Sequence, residues 1–265
     1  MTPADSRLFM ETCLLWNDPY PVPRVDEIAL DRWRMIHVVR EDVLDVGSKA
    51  RFLDYMIGHY EPFTNIKEWV FGSCPAHGAA QVSLPYVCGK YDKKAVLFMA
   101  KRDPSRWTEY QKLGDKHGAE YNWVPDGMLN VTQARAREYA ALSPDTRMVL
   151  PIGLEHPLVI GAIVKTAVER IQIVPKRFWT VGSSGTLNRG LQIAWPKAEA
   201  HVIQVGHKMK PREVGRAKVW ECQLPFNKPA KIMPPFPSAP NYDAKAWSFL
   251  LEHAQDGDLF YNVMS

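Results

Sequence analysis

Short apolar runs alternate along most of this chain with segments whose apolar residues follow helical spacing. The run Met35–Val39 (MIHVV) is rich in β-branched residues, as in a buried strand, and Ser48–Gly58 has apolar residues at positions 52, 53, 56 and 57. The remaining strands are predicted at residues 68–72, 95–100, 119–124, 147–151, 177–182, 200–206 and 258–263, and the remaining helices at residues 75–88, 104–117, 130–142, 156–173, 186–195 and 243–253. We therefore expect an α/β protein with mostly parallel twisted sheets and helices on both faces. Ligands of such sheets bind at the carboxyl ends of the strands.

The composition is that of an ordinary globular protein, with 265 residues, 46% of them hydrophobic and 23% charged. A formal net charge of +4 permits a phosphate-bearing partner without requiring one. The four cysteines form no Cys-x-x-Cys pair, so we expect reduced thiols, a cytoplasmic location and no metal site. We expect no secretory signal and no membrane span, because no apolar run reaches the roughly 18 residues that a span needs.

A glycine-rich turn follows the strand predicted at residues 177–182. Its sequence places glycines and hydroxyl side chains directly before a helix, at Gly182, Ser183, Ser184, Gly185 and Thr186. Glycines let an anion approach the backbone closely, and the first N–H groups of a helix bind it with help from the helix dipole. The spacing fits neither the Walker A motif nor GxGxxG. The sequence predicts a phosphate site here; the alternative is an ordinary capped helix.

A second turn of the same kind places Lys49 directly after Gly47 and Ser48, at the start of a predicted helix. A nucleophilic lysine must be partly neutral at working pH, and the positive end of a helix disfavours the ammonium form. Taken alone, this residue fits a solvated lysine of the first helical turn better than it fits a nucleophile.

Together the two turns resemble a known family. VVREDVLDVGSKARFLDYM resembles the lysine segment, and VGSSGTLNRGL the phosphate loop, of fold type II pyridoxal-phosphate (PLP) enzymes, the tryptophan synthase β-like group. EWVFGSCPAHGAAQV and AKAWSFLLEHAQDGDLFYNV resemble two further segments, and the order is that of the family. The aminocyclopropanecarboxylate (ACC) deaminase and D-cysteine desulfhydrase branch is the most similar. The resemblance implies two αβα subdomains, a larger PLP-binding one (residues 1–58 and 160–265) and a smaller one (residues 59–159).

The resemblance also implies roles for particular residues. Lys49 would form the Schiff base with PLP and move protons at the substrate Cα, and residues 182–186 would hold the phosphate. Ser73 would lie near the substrate carboxylate or transfer a proton. Asn262 and Ser265 are the candidates for contacting the pyridine nitrogen.

Two positions depart from the family pattern. Cys74 stands where the family has an asparagine near the cofactor ring, and Ser48 precedes the lysine in place of an asparagine. Two roles stay open for His77: it lies on a helix face near the pocket, or it takes part in catalysis.

The reaction and substrate are less constrained than the cofactor. A cluster of cations could follow a nucleic-acid backbone or could simply be a solvated loop: Lys208, Lys210, Arg212, Arg216 and Lys218. The chain also resembles bacteriophage PLP proteins that hypermodify thymine, which favours a decarboxylase or lyase that trims an aminoacylated thymine in DNA, in the host cytoplasm. One alternative is a deaminase, desulfhydrase or β-replacement enzyme for a free small amino acid. Another is a PLP-binding protein without catalysis. The family is usually homodimeric, so we expect a homodimer.

Overall fold

The computed structural model describes residues 2–265. The strands are β1 (Arg24–Ala29), β2 (Met35–Arg40), β3 (Glu68–Phe71), β4 (Lys94–Ala100), β5 (Ala119–Val124), β6 (Arg147–Leu150), β7 (Arg177–Gly182), β8 (Glu199–Gln204), β9 (Lys218–Glu221) and β10 (Leu259–Asn262). The α-helices are α1 (Pro3–Leu15), α2 (Ser48–Gly58), α3 (Ala80–Lys90), α4 (Glu109–Lys116), α5 (Leu129–Ala141), α6 (Pro157–Glu169), α7 (Thr186–Ala194), α8 (Pro211–Val214) and α9 (Ala246–His253). Short 3₁₀ helices lie at Glu41–Val43, Glu61–Phe63, Pro104–Arg106, Ile152–Leu154 and Asp243–Lys245.

The chain divides into two compact units. The first comprises residues 1–48 and 160–265, and the second comprises residues 49–159. The first division falls just inside the start of α2, whereas the sequence prediction put it after that helix.

The first unit contains a six-stranded sheet in the order β1-β2-β10-β7-β8-β9. The edge strand β1 pairs antiparallel with β2, and the other neighbouring strands pair in parallel. On one face, Trp179 and Phe260 pack with Trp247 and Leu250 of α9. On the other face, Phe178 contacts Trp195 at the end of α7 at a ring distance of 5.6 Å. Helices thus cover both faces, as the alternating pattern predicted.

The second unit contains a four-stranded parallel sheet in the order β5-β4-β3-β6. Val70, Val96 and Val124 on one face pack against α5 through Ala136 and Ala140. Successive side chains of a strand face opposite sides, so Tyr121 of β5 faces away from α5. There its hydroxyl donates to the carbonyl of Gln111 in α4 at 2.8 Å. The fold is therefore the mostly parallel α/β architecture that the sequence indicated.

Two helices differ from their predicted bounds for identifiable reasons. The helix predicted at residues 75–88 begins only at Ala80, because the carbonyls of the preceding turn bind the side chain of Gln81. The helix predicted at residues 104–117 is broken at Thr108, which starts α4 with a capping box shared with Gln111.

Other elements escaped prediction. Helices α1 and α8 and strands β1 and β9 lie where the apolar pattern is weak. Residues 234–242 form neither helix nor strand, yet Phe236 among them is buried in the core of the first unit against Trp247 and Phe260.

Candidate active site

The turn between β7 and α7 is shaped around a glycine. Gly185 has a φ of +72°, and a Cβ there would lie 2.0 Å from the carbonyl oxygen of Glu213. No side chain caps α7, and its first turn carries no acid. The hydroxyls of Ser184 and Thr186 lie 3.3 Å apart at the same end. Free first-turn amides, the positive end of the helix dipole and two hydroxyls suit a phosphate group.

Tyr242 supports this turn and was not anticipated from the sequence. Its hydroxyl donates to the carbonyl of Val181 at 3.2 Å, and it also contacts Ser183. Burial, together with the nearby charge of Asp243, raises the pKa of Tyr242, so its hydroxyl stays neutral and can donate. An isolated tyrosine distant in sequence gave no signal of this contact.

The carboxyl ends of β2 and β10 carry a buried polar network. The side-chain amide of Asn262 donates to Asp42 at 2.7 Å and to the carbonyl of Pro237 at 2.9 Å, and its oxygen accepts from Ser238 at 2.7 Å. Arg40 donates twice to Asp42, each time at 2.7 Å. The Asn262 amide is thus used at both ends within the protein. Ser265, the other candidate for the pyridine nitrogen, is exposed, and that contact stays a prediction.

The Gly47-Ser48 turn is fixed to the end of β10. Gly47 has a φ of +72°, and a Cβ there would lie 3.2 Å from the carbonyl oxygen of Val263. The amide of Ser48 donates to the same oxygen at 3.0 Å. The Val263 carbonyl therefore fixes the backbone at Gly47 and Ser48, directly before Lys49.

Lys49 is half-buried in the first turn of α2, which carries no acid. Burial raises the pKa of the Cys74 thiol to about 12, and the backbone hydrogen bond with Gln81 and the positive charge of Lys49 lower it only in part. The thiol therefore stays protonated at neutral pH.

Ser73 and Cys74 follow β3, at the carboxyl end of the second sheet. Ser73 is buried, and its hydroxyl accepts a hydrogen bond from the side-chain amide of Gln133 at 2.8 Å. His77 lies half-buried in the turn that follows. Lys49, Ser73, Cys74 and His77 all lie in the second unit, whereas the glycine turn, Asn262 and Ser265 lie in the first.

The turn at residues 75–78 is held by two residues that the sequence did not single out. The side-chain amide of Gln81 donates to the carbonyls of Ala76 at 2.8 Å and Gly78 at 3.0 Å. The hydroxyl of Thr108 also donates to the Ala76 carbonyl, at 2.6 Å. The carbonyls of this turn are therefore bound within the protein. The available sequence signal for this contact was Gln81, a polar residue inside an alanine-rich helix.

The fold is the one that fold type II PLP enzymes share. The structure is similar to that of an ACC deaminase homologue, with a TM-score of 0.78 and 16% identity over 100% of this chain and 95% of that one. It is also similar to threonine deaminase isoform 2 from Solanum lycopersicum, with a TM-score of 0.69 and 11% identity over 100% and 85% of the chains. A PLP-dependent aspartate racemase aligns with a TM-score of 0.58 and 14% identity over 97% and 79%. No protein-family model and no curated protein matches the sequence.

Within residues 2–265, no group of three or more histidine, cysteine, aspartate or glutamate side chains could hold a metal ion. None of the helices formed by those residues is long and apolar enough to cross a membrane.

Proposed function

We propose that this protein is a PLP-dependent lyase that acts at the Cα of an amino-acid-like substrate. The observation that carries the proposal is the glycine turn before α7, where no side chain caps the first amides and the hydroxyls of Ser184 and Thr186 lie at the same end of the helix. The shared fold with a PLP-dependent aspartate racemase, a threonine deaminase and an ACC deaminase homologue supports it. The residues of the turn fit the phosphate group of PLP.

The chain's own residues have distinct tasks in this proposal. Ser184 and Thr186 would hold the phosphate through their hydroxyls and amides. Lys49 would hold the cofactor's aldehyde carbon through Nζ, with loss of water, and would move a proton at the substrate Cα; the helix end at which it lies favours the neutral amine. Ser73 offers its hydroxyl to the substrate. When bound, PLP supplies an electron sink for the bonds at Cα.

Borohydride reduction of the purified yellow protein, followed by peptide mass mapping, tests the assignment of Lys49. We expect the mass of the reduced cofactor on the peptide that contains Lys49, and we expect Lys49→Ala to lose both the label and the visible absorption band. Lys112→Ala, at an exposed position, is the matched control and should keep both. A protein that takes up no PLP, or a label on another lysine, would overturn the proposal.

For the substrate, we propose an aminoacylated thymine in DNA that the enzyme trims by decarboxylation or another lyase reaction. Its support is the cation cluster: Lys208, Lys210, Arg212 and Lys218 are exposed. Arg216 has a structural task, because its guanidinium donates to the carbonyls of Gln192 at 3.1 Å and Trp195 at 2.7 Å and so caps the end of α7. The cluster that could contact phosphates is therefore smaller than the sequence suggested.

DNA binding as a function of salt tests this substrate. Lys208→Ala/Lys210→Ala should bind a DNA duplex more weakly and with a shallower salt dependence, by about one unit of slope for each lost phosphate contact. Lys228→Ala/Lys231→Ala removes the same charge from exposed positions elsewhere in the first unit and should bind like the parent protein. Equal loss in both variants would contradict a DNA-binding surface at the cluster.

A free small amino acid is the second candidate substrate, and deamination or desulfhydration the corresponding reaction. It is favoured by the similarity to an ACC deaminase homologue and a threonine deaminase. Release of ammonia from free amino acids without DNA affinity would establish it. Release of carbon dioxide from a DNA-linked amino acid would establish the first candidate.

A further inference from the structure

Two consecutive residues of α5 hold the end of β3. The hydroxyl of Thr132 donates to the carbonyl of Gly72 at 2.7 Å, and the side-chain amide of Gln133 donates to the hydroxyl of Ser73 at 2.8 Å. Gly72 makes this close approach possible, since a Cβ there would lie 2.6 Å from the carbonyl oxygen of Thr132 and 2.8 Å from Cβ of Ala136. The strand end therefore docks directly on α5, and Ser73 is brought to Gln133.

The direction of this hydrogen bond fixes what Ser73 can offer. A serine hydroxyl has one proton and can accept through its lone pairs, and an amide nitrogen can only donate. Because Gln133 Nε2 donates to Ser73 Oγ, the proton of Ser73 is not used in this contact. Among residues 2–265, Gln133 is the one hydrogen-bond partner described for that hydroxyl. A buried hydroxyl whose proton stays unused carries a desolvation penalty that a ligand acceptor would remove.

We propose that Gln133 is a positioning residue, which makes the Ser73 hydroxyl a proton donor directed at the substrate. Gln133 acts through Ser73 and does not itself touch the substrate. The role of Ser73 toward the substrate rests on the proposed function. The hydrogen bond that Gln133 donates to Ser73 does not depend on that function.

Two substitutions of similar size separate polarity from packing. Gln133→Glu keeps the shape but, when ionised, can only accept, so it draws the Ser73 proton toward itself. Gln133→Met fills the same space without a hydrogen bond and leaves Ser73 free to rotate. The carboxyl introduced by Q133E becomes a donor again when protonated, so its effect should fade as the pH falls through that group's pKa.

Nuclear magnetic resonance of side-chain amides tests the donor direction without cofactor or substrate. In protein labelled with ¹⁵N in the glutamine side chains, Q133M identifies the Gln133 signal by its loss. We expect Ser73→Ala to shift that signal toward the position of solvated amides and to speed its hydrogen exchange. An unchanged signal in S73A would overturn the proposal, whether or not the protein binds PLP.

Steady-state kinetics tests the consequence for Ser73. We expect S73A and Q133E to lower kcat/KM by similar factors, about 10² or more, and the double variant to add little to either. Q133M should lose about tenfold or less at any pH, and only Q133E should recover toward acid. Gln172→Glu adds the same charge at an exposed position and should match the parent protein.

The outcomes separate the two proposals. Wild-type kinetics in Q133E, with an intact fold and visible band, would overturn the positioning role. A protein that takes up no PLP would remove the proposed function and leave the donor direction to be decided by the amide spectrum alone.

Discussion

The carboxylate of Asp42 accepts a hydrogen bond from the side-chain amide of Asn262 at 2.7 Å, and this contact joins the ends of two adjacent parallel strands. Asp42 lies just past β2, and Asn262 is the last residue of β10. Arg40 completes the network by binding both oxygens of Asp42. The segment that leads to Lys49 therefore leaves the first sheet at strand ends that are fixed by hydrogen-bonded side chains.

Removal of the Asn262 amide should destabilise the first unit. Asn262→Ala leaves a buried carboxylate, a carbonyl and a hydroxyl without their partner, so we expect a loss of about 3 kcal/mol in the free energy of unfolding. Asn130→Ala, at an exposed helical position, is the control and should change it by less than about 0.5 kcal/mol. Urea denaturation measures both. Loss of PLP affinity with unchanged stability would instead assign Asn262 to the cofactor.

The glycine turn before α7 should not tolerate a methyl group. Gly185→Ala combines a positive φ with a collision against the Glu213 carbonyl, whereas Gly118→Ala has a φ of +83° and nothing within 4 Å of the added Cβ. We expect G118A to lose about 1 kcal/mol of stability through backbone strain alone. G185A should lose more, and it should also weaken PLP binding, which absorbance titration measures. Equal effects of the two variants would contradict the close packing of Gly185 against the Glu213 carbonyl.

The thiol of Cys74 should resist alkylation in the folded protein. Burial raises its pKa to about 12, so the thiolate is roughly one part in 10⁴ at pH 8. We expect iodoacetamide to label the half-buried Cys222 first, and Cys74 only after unfolding. Mass mapping of the labelled peptides checks the order. Fast labelling of native Cys74 would show that the thiol is reachable and ionised.

Alkaline pH should destabilise the second unit through the cluster around Asp54. The Tyr91 hydroxyl donates to the buried Asp54 at 2.8 Å, and Lys90 donates to the same oxygen at 2.7 Å. Burial, followed by the bond to Asp54, raises the pKa of Tyr91 from 10.0 to about 12. As the pH rises from about 10 to about 12, the unfolded state loses the Tyr91 proton before the folded state does, so stability falls.

The Tyr91→Phe variant isolates this effect. It cannot ionise at this position, so its stability should fall less steeply over the same alkaline range, although it is less stable at neutral pH. The pKa of Lys90 is also raised from 10.5. The stability that Lys90 contributes is therefore present below pH 10.5 and is lost as the pH rises through the pKa of Lys90 in the folded state, in both proteins. Urea denaturation below and above pH 10 measures the slopes, and identical slopes would contradict the role of Tyr91.

Much of the fold could be predicted because periodicity is a local property. The strand at Arg177–Gly182, the helix at Ser48–Gly58 and the glycine turn between β7 and α7 appear at the predicted positions. The elements that were missed, such as β1 and α1, have little apolar periodicity, and the partners that hold them are distant in sequence. Gly161 of α6, for example, lets α1 approach through Phe9 and Thr12.

The sequence by itself determined the alternation of strands and helices, the two glycine turns and the position of Lys49 directly after one of them. The tertiary structure decided which side chains support those turns. Tyr242 lies 61 residues along the chain from Val181, and Gln133 lies 60 residues from Ser73, so only folding brings each donor to its acceptor. Hydrogen bonds depend on distance and angle in space, and a sequence pattern specifies those only within one helix, strand or turn.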